Sequence, residues 1–448
     1  MTLRRPCPSE TEIWRALAAY ARFGAGFARA KAPQWSLSDL PLNLEIKKDI
    51  LIPAEENPDD HEFCWAVNYA YTSNFGQELM MTVVRRMSSG GDNWRQQQST
   101  NQRMISHDNG ATWHPHGPEI PGGSYERKDT TLAWMHFLDQ SEDLLLSLHQ
   151  TSRPHPGDGE WATALKYEVS HDKGQSWGPL RQIISPDSAC DEIHWMPGIT
   201  DSYQYIGVDQ SPFIRLDDGT IVLGFTVHPP NPDYPREQFY VGAVFLRGRW
   251  NEDRTELSWK AGDIVQVPPE VSHRGACEPD LLHLGGQRLL TTLRVQGEEG
   301  PPERFSSRHW SISEDGGKTW TDPEMLCYED GSRVCVPASL AAFEKHPHTG
   351  KVYWFANILD HPVNRQLPRY PLAMAEMDTD RFCLIKDSVT VIQDLPTDAP
   401  EDRGYTNFGH YVDRMTGEFV LTPAEAPKFS TRDFRADTVR YRIKVLSR

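Results

Sequence analysis

The chain has 448 residues, and its 46 Lys and Arg against 63 Asp and Glu give a formal net charge of −17. This acidic balance argues against nucleic acids and anionic membrane surfaces as partners, because either would require a positively charged binding face. The sequence has no run of about 18 apolar residues, which excludes a membrane-spanning helix. Its 32 Gly, 34 Pro, 14 Trp and 15 Tyr favour a turn-rich β protein over a helical bundle.

Residues 1–36 are predicted to form a short helical extension, followed by one large domain over residues 37–448. Apolar residues between Ile13 and Tyr20 recur near helical spacing, and we expect this helix to pack on the outside of the main domain. Arg15 interrupts the apolar core that a secretory signal needs, so no such signal is predicted. A cleaved organelle-targeting segment is the alternative interpretation.

The seven cysteines are widely spaced, and no two form a Cys-x-x-Cys pair. An odd number of cysteines without that spacing argues against a disulfide framework and against a structural zinc site. Reduced cysteines and the missing signal together predict a cytoplasmic protein. We expect no metal ion and no other cofactor, and the sequence leaves the oligomeric state open.

One short pattern occurs three times: an apolar residue, then Ser-x-Asp-x-Gly-x-Thr/Ser-Trp. The copies are Ile105–Trp113, Val169–Trp177 and Ile312–Trp320. The Asp can accept backbone N–H groups inside a turn, the Gly permits a positive φ, and the Trp begins the return strand. The pattern therefore predicts a repeated β-hairpin, in which Asp108, Asp172 and Asp315 have a structural and not a catalytic role.

The spacing of these repeats predicts the number of structural units. The Asp positions lie 172 − 108 = 64 and 315 − 172 = 143 residues apart, one repeat and then two. The 412 residues from position 37 onward, divided by about 68 per repeat, give six units. Strand-like runs fill the gaps: Leu144–His149, Thr220–Val227, Arg288–Val295, Lys351–Asn357 and Glu418–Thr422. This pattern predicts an all-β, six-bladed β-propeller.

The repeated motif resembles the Asp box of the sialidase (neuraminidase) superfamily, and the resemblance covers roughly residues 40–445. It implies a six-bladed propeller whose Asp boxes lie on outer turns, away from a central site that acts on carbohydrate. The chemistry of that superfamily implies an acid/base Asp, a Tyr nucleophile with a Glu partner, and three Arg that hold a substrate carboxylate. Arginine suits this last role because its guanidinium makes bidentate, charge-assisted hydrogen bonds to carboxylates.

Two stretches resemble the segments that carry the Glu and two of the Arg. Glu278 and Arg294 are 294 − 278 = 16 residues apart, which fits the superfamily, and Arg369 lies in a segment similar to that of the third Arg. The resemblance implies that Arg294 and Arg369 clamp an anionic group. The alternatives are a buried Glu278–Arg294 pair that only braces a strand and an Arg369 that faces solvent, with Arg365 as its competitor.

Gly404-Tyr405-Thr406 resembles the nucleophile strand, which implies that Tyr405 attacks the sugar. Glu278 would act as its base, because a phenol with a pKa of about 10 needs help at neutral pH. The alternative is that Tyr405 is a core tyrosine. His194 lies in a polar and aromatic segment that could face a sugar.

The first blade departs from the superfamily pattern. Leu51 stands where the resemblance implies an Arg, and Ser73–Gln77 contains no carboxylate where it implies the acid/base Asp. The loss of one arm of a carboxylate clamp should cost about 1.5–3 kcal/mol.

Three functions remain open at this point. The first is a sialidase-like, exo-acting glycoside hydrolase that acts on an anionic or modified terminal sugar. The second is a polysaccharide lyase on uronate-containing glycans, with His and Tyr as base and acid. The third is a non-catalytic glycan- or protein-binding propeller. The first two predict a carbohydrate partner, and Glu278, Arg294 and Tyr405 favour an enzyme.

Overall fold

A computed structural model describes residues 42–53, 62–87, 98–122, 130–154, 161–186, 196, 213–227, 240–297, 304–396, 404–426 and 437–446. These residues form antiparallel sheets of four or five strands, arranged as six blades, with a short 3-10 turn at Lys386–Ser388. The predicted six-bladed propeller is confirmed. The predicted helix within residues 1–36 lies outside the described residues. No helix that the structure describes is long and apolar enough to cross a membrane.

The first three blades follow one another along the chain, each numbered from its first strand. Blade 1 contains β2 (Glu62–Tyr71), β3 (Leu79–Met87), β4 (Gln98–Ser106), β5 (His114–Pro115) and β6 (Ile120–Gly122). Blade 2 contains β7 (Thr130–Asp139), β8 (Leu144–Pro154), β9 (Trp161–Ser170) and β10 (Arg181–Gln182). Blade 3 contains β11 (Ile214–Arg215), β12 (Ile221–Val227), β13 (Gly242–Trp250) and β14 (Leu257–Ala261).

The remaining three blades complete the ring. Blade 4 contains β15 (Ala276–Gly285), β16 (Arg288–Val295), β17 (Ser307–Ser313) and β18 (Glu324–Met325). Blade 5 contains β19 (Ala342–Lys345), β20 (Val352–Asn357), β21 (Leu372–Asp378), β22 (Cys383–Leu384) and β23 (Thr390–Gln393). Blade 6 contains β24 (Gly404–Val412), β25 (Phe419–Ala426), β26 (Thr438–Val445) and, as its outermost strand, β1 (Leu44–Ile52).

The two ends of the chain meet in blade 6. β1 pairs with β26 from Leu44↔Val445 to Ile52↔Thr438, so the first strand of the chain completes the last sheet. Contacts between blades pass mainly through their first strands, for example β2 with β24 and β2 with β7. These first strands therefore surround the propeller axis, and residues from different blades can meet there.

The five strand-like runs expected from the sequence match β8, β12, β16, β20 and β25, the second strands of blades 2 to 6. These second strands lie inside each sheet and are buried on both faces, as in β12, where all seven residues are buried. Burial on both faces explains why the runs read as continuous apolar segments. Apolar clusters fill the seams between the blades, for example Leu223 and Val244 between blades 2 and 3.

The three Asp boxes are the turns between the third and fourth strands of blades 1, 2 and 4. In the third box, Asp315 Oδ1 accepts hydrogen bonds from the Thr319 and Lys318 backbone N–H groups at 2.9 and 3.0 Å. The Thr319 hydroxyl donates to Asp315 Oδ2 at 2.8 Å. Gly317 follows with φ of 84°, a conformation that favours glycine. The structural role predicted for these Asp residues rests on this hydrogen bonding.

Blade 3 contains a related turn whose sequence does not match the Asp-box motif. Asn251 takes the place of the Asp, and its Oδ1 accepts the backbone N–H of Thr255 at 2.9 Å. The residue four positions on is again Thr, as in the first and third boxes. An amide oxygen can accept the same backbone hydrogen bond as a carboxylate, although the left-handed residue of this turn is Arg254, three positions after Asn251.

Because successive strands of a blade run in opposite directions, the connections between them alternate between the two ends of the propeller. Hairpins between first and second strands, and the Asp boxes between third and fourth strands, share one end, which we call the Asp-box end. Connections between second and third strands, and those between successive blades, share the opposite end. Each inner strand begins at that opposite end.

Replacing Asp315 with Ala should lower the free energy of unfolding by about 1–2 kcal/mol, because the backbone N–H groups of the turn lose their acceptor. Chemical denaturation measures this change. Asp322→Ala is the matched control, since Asp322 is an exposed carboxylate in the same blade. Equal stability losses in both variants would contradict a structural role for the box.

Candidate functional site

Three inner strands carry the same irregularity. The register of β2, β15 and β24 shifts between Val67 and Ala70, between Cys277 and Asp280, and between Thr406 and Gly409. Within these shifts, one residue other than Gly adopts a left-handed backbone. These residues are Asn68, Glu278 and Asn407, with φ of 60°, 48° and 52°. A bulge of this kind re-aims a side chain and stores strain, which is common at functional sites.

Glu278 meets Arg294 across the first two strands of blade 4. Cys277 pairs with Arg294 in the ladder, and the bulge brings the next residue, Glu278, onto Arg294. Arg294 Nη1 donates to Glu278 Oε1, and both side chains are only 14% exposed. The Glu278 backbone N–H donates to the Thr226 hydroxyl of blade 3 at 2.9 Å, which holds the bulge in place.

Arg369 belongs to the connection between β20 and β21 and is 5% exposed, so it does not face solvent. Its Nε and Nη2 donate to the Gln366 carbonyl and side-chain oxygens at 3.1 and 3.0 Å, and its Nη1 donates to Asn407 Oδ1 at 3.3 Å. Burial and the charge of Arg294 lower the pKa of Arg369 to about 9, and the charge of Glu278 opposes this. The charges of Glu278 and Arg294 therefore act on Arg369, whose guanidinium remains charged at neutral pH.

Tyr405 reaches the same region through its backbone. The Tyr405 N–H donates to the Arg369 carbonyl at 2.8 Å. Its ring, 1% exposed, packs in an apolar cluster between blades 5 and 6 with Phe355 and Phe419. Its hydroxyl donates to the Asp394 carbonyl oxygen at 3.4 Å. The assignment of Tyr405 as nucleophile stays a prediction, and the structure gives it a buried setting.

Arg308 is a member of this cluster that the sequence analysis did not single out. It pairs with Arg294 across β16 and β17, is 2% exposed, and donates through Nη2 to the Ser339 carbonyl. Burial lowers the pKa of Arg308 to about 10, while the charge of Glu278 opposes this effect. The sequence contains one signal for Arg308: it lies two residues before Trp310 on the same strand, so both side chains lie on one face of the sheet.

Asp280 is the second missed residue, two positions after Glu278. Its Oδ2 accepts the Phe343 backbone N–H of blade 5 at 2.5 Å, and burial raises its pKa to about 7. Glu344 of blade 5 pairs with His410 of blade 6 through Nδ1 at 2.7 Å. Burial favours the neutral His410 ring, but the hydrogen bond and charge of Glu344 outweigh it and raise the pKa of His410. Hydrogen bonds thus join the inner strands of blades 4, 5 and 6.

Comparison with known proteins agrees with this architecture. A family model described as a BNR repeat-like domain matches residues 124–385, more than half of the chain. The chain belongs to the BNR repeat-like family. The resemblance to the sialidase superfamily, inferred from the Asp boxes, is thereby confirmed. No curated protein matches the sequence significantly.

Three solved structures that share the fold are two sialidases and an arabinofuranosidase. A Hadza microbial sialidase, Hz136, is 12% identical, with a TM-score of 0.53 over 89% of this chain and 68% of its own. A mutant of Trypanosoma rangeli sialidase with trans-sialidase activity is 13% identical, with a TM-score of 0.55 over 90% of this chain and 59% of its own. An α-L-arabinofuranosidase from Fusarium graminearum is 12% identical, with a TM-score of 0.50 over 89% and 97%. At such identities the likeness establishes the fold alone.

The BNR propeller places the two departures from the superfamily pattern in different blades. Leu51 lies on β1, the outermost strand of blade 6, where it packs against Ala66 and Met81 of blade 1. Ser73–Gln77 forms the hairpin between β2 and β3 at the Asp-box end, whereas Glu278 lies near the opposite end. Ser73–Gln77 therefore lies at the other end of the propeller from Glu278, so this hairpin cannot supply a carboxylate to the Glu278 cluster. His194 lies outside the described residues.

A cavity of about 370 Å³ lies along the inner strands toward the Asp-box end. Its lining includes Asn68, His136, Glu344 and His410, but not Glu278, Arg294 or Arg369. The described residues contain no group of three or more His, Cys, Asp or Glu that could hold a metal ion. The candidate site is the arginine and glutamate cluster, whose residues Glu278, Arg294 and Arg369 do not line this cavity.

Asp280→Asn should gain stability relative to the wild type as the pH rises from about 5 to about 8. The pKa of Asp280 is higher in the folded state than its ordinary value of 3.8, so the wild type loses stability as the pH rises toward 7. The variant stays neutral, and the relative gain should approach a few kcal/mol. The charges of His410, Glu344 and Arg308 also act on the Asp280 carboxyl. Titration of these groups contributes equally to the stability of the wild type and of Asp280→Asn, except where the charge of Asp280 shifts it.

Thermal unfolding at the two pH values measures the difference, with Asp413→Asn as the control. Asp413 is also buried, but hydrogen bonds from Asn109 and Arg442 lower its pKa although burial opposes this. Its stabilising effect is complete above its ordinary pKa, so the cost of Asp413→Asn should be equal at both pH values. A pH-independent effect of Asp280→Asn would contradict the raised pKa.

Proposed function

We propose that this BNR propeller is an exo-acting glycoside hydrolase that acts on an anionic or modified terminal sugar. The observation that carries the proposal is the grouping of three arginines, Arg294, Arg308 and Arg369, around the Glu278 carboxylate in the described part of the chain. A group of guanidinium side chains favours an anionic ligand. Arginine is also the side chain best suited to bind a carboxylate in two contacts.

In this proposal Tyr405 attacks the anomeric carbon while Glu278 accepts the phenolic proton, and the bond from this carbon to the leaving oxygen breaks as the leaving alcohol takes a proton from solvent water. Water or hydroxide then displaces Tyr405 from the anomeric carbon, and Glu278 returns the proton to the phenol oxygen. A neutral nucleophile is favoured beside a substrate carboxylate, because an anionic one would be repelled. Arg294 and Arg369 hold the anionic group, and their positions on two different blades fix its orientation. The hydrolase fold of the sialidase and arabinofuranosidase neighbours supports this reaction class.

One observation favours a second candidate, a non-catalytic propeller that binds anionic glycans. The Tyr405 ring is 1% exposed and packs among apolar side chains, whereas a nucleophile must reach its substrate. The arginine cluster would serve binding equally well. The lyase alternative, with His194 near the sugar, stays open because it uses the same anion clamp.

Hydrolysis of a fluorogenic sialoside tests the proposal. The wild type should release the fluorophore, and Glu278→Gln and Tyr405→Phe should each reduce kcat at least about 100-fold, since each removes a group that moves a proton or forms a bond. Tyr353→Phe is the matched control, because Tyr353 lies in the same apolar cluster as Tyr405. It should retain activity.

The other outcomes separate the alternatives. Full activity of Tyr405→Phe together with an inactive Glu278→Gln would show that Tyr405 is a core residue. Saturable binding of sialoside by an inactive wild type, abolished in Arg369→Met, would support the binding protein. New ultraviolet absorbance on a uronate-containing glycan would support the lyase.

A further inference from the structure

The cavity toward the Asp-box end is lined by residues near the ends of several inner strands. Asn68 lies near the end of β2, Phe137 near the end of β7, Glu344 on β19 and His410 near the end of β24. The lining also includes Gln140, an exposed residue of the hairpin between β7 and β8, so the cavity reaches the protein surface there. A small molecule can therefore enter it from the Asp-box end.

Glu344 and His410 form an ion pair in the lining of this cavity. His410 Nδ1 donates to Glu344 Oε1 at 2.7 Å, and the two side chains are 12% and 17% exposed for His410 and Glu344. Burial opposes protonation of His410, but the hydrogen bond and charge of Glu344 outweigh it and raise its pKa, which favours the ring form in which Nε2 also donates. Among the described residues, Glu344 Oε2 and His410 Nε2 form no further hydrogen bond. The pair can therefore hold two neighbouring hydroxyl groups of a ligand, one at each atom.

Aromatic rings form much of the remaining lining. The Tyr69 and Tyr411 rings lie with their centroids 4.8 Å apart, and the Phe137 and Phe213 rings stack at 5.0 Å. The Tyr69 hydroxyl donates to Thr422 Oγ1 at 3.1 Å, so Tyr69 offers its ring and not its hydroxyl to a ligand. Apolar walls with a few polar groups are typical of sites that recognise small molecules.

Charge and size together indicate the class of ligand. The opposite charges of Glu344 and His410 compensate each other, so the pair as a whole attracts neither an anion nor a cation. Asp280, which interacts with both charges but does not line the cavity, has a pKa of about 7, and its partial negative charge further opposes an anion. The cavity volume of about 370 Å³ lies near the lower limit for small-molecule sites, about 300–1,000 Å³. One uncharged sugar ring fits these properties, because it combines neighbouring hydroxyl groups with apolar C–H faces.

We propose that this cavity binds an uncharged monosaccharide, with Glu344 and His410 holding two of its hydroxyl groups while the aromatic rings pack against its C–H faces. Glu344 Oε2 accepts from one hydroxyl, and His410 Nε2 donates to its neighbour. The ion pair fixes the spacing of these two groups before the ligand arrives, so little ordering is required on binding. The site goes beyond the proposed function and does not depend on it, because Glu278, Arg294 and Arg369 take no part.

Ligand-observed NMR titrations of the full chain test the proposal without requiring turnover. The probes are glucose, galactose and mannose, each with its uronic acid and its 2-amino sugar, which add a negative and a positive charge to the same ring. At least one uncharged sugar should bind saturably. Glu344→Gln should weaken that binding about ten-fold, because it removes a charged acceptor and the partner that keeps His410 protonated. Binding that depends on Glu344 should be tighter for the uncharged sugar than for its charged counterparts.

Glu78→Gln is the matched control. Glu78 Oε2 also accepts from a histidine, His107 Nδ1 at 2.6 Å, but Glu78 does not line the cavity. This variant should bind the sugar as the wild type does. If Glu344→Gln fails to fold, Gln140→Trp replaces it: Gln140 is exposed, so the fold should be retained, and the larger side chain at the mouth of the cavity should weaken binding.

Three results would overturn the proposal. The first is that none of the uncharged sugars binds. The second is that the binding that depends on Glu344 is tighter for a uronic acid or an amino sugar. The third is that Arg369→Met abolishes binding of the uncharged sugar while Glu344→Gln leaves it intact, which would place that sugar at the arginine and glutamate cluster. A chain that binds the sugar through Glu344 but hydrolyses no sialoside would refute the proposed function alone.

Discussion

The structure depends on the pairing of β1 with β26. Without β1, blade 6 would lack its outermost strand, and the first and last strands of the described chain would not be joined in one sheet. The ladder from Leu44↔Val445 to Ile52↔Thr438 joins the two ends of the described chain in one sheet. Because the ring is closed, residues separated by up to 130 positions, such as Glu278 and Asn407, reach the same region.

Within that ring, irregular inner strands create the candidate site. A regular strand directs alternate side chains into the seams between blades, where they form the apolar core. The bulges at Asn68, Glu278 and Asn407 interrupt this alternation and turn polar groups away from the core. Hydrogen bonds stabilise the irregular backbone: Glu278 N–H to Thr226, and Arg369 to the Asn407 side chain. Among the described residues of the inner strands, a left-handed backbone at a residue other than Gly occurs at these three positions.

The chain as a whole is acidic, whereas the candidate site contains the buried guanidinium groups of Arg308 and Arg369. The chain as a whole carries a net charge of −17, which repels anions at a distance. Salt screens this repulsion over about 8 Å at physiological ionic strength, whereas the buried guanidinium groups act at contact distance and are screened much less. In the proposed function, an anionic ligand would be held by these guanidinium groups at contact distance, where screening is weak.

The sequence by itself determined the repeat and the architecture, because an Asp box is a local structure. Asp315, Gly317 and Thr319 lie within four residues of one another and form their turn with few distant contacts, so the motif, its spacing and the number of blades could be predicted. The likeness of Glu278 and Arg294 to a known segment was also visible. Only the tertiary structure decided that Arg308 and Asp280 join this pair, that Leu51 lies on an outer strand, and that the Tyr405 ring is buried. These facts depend on the register between strands and on contacts between blades, and no short stretch of sequence encodes the relative position of two blades.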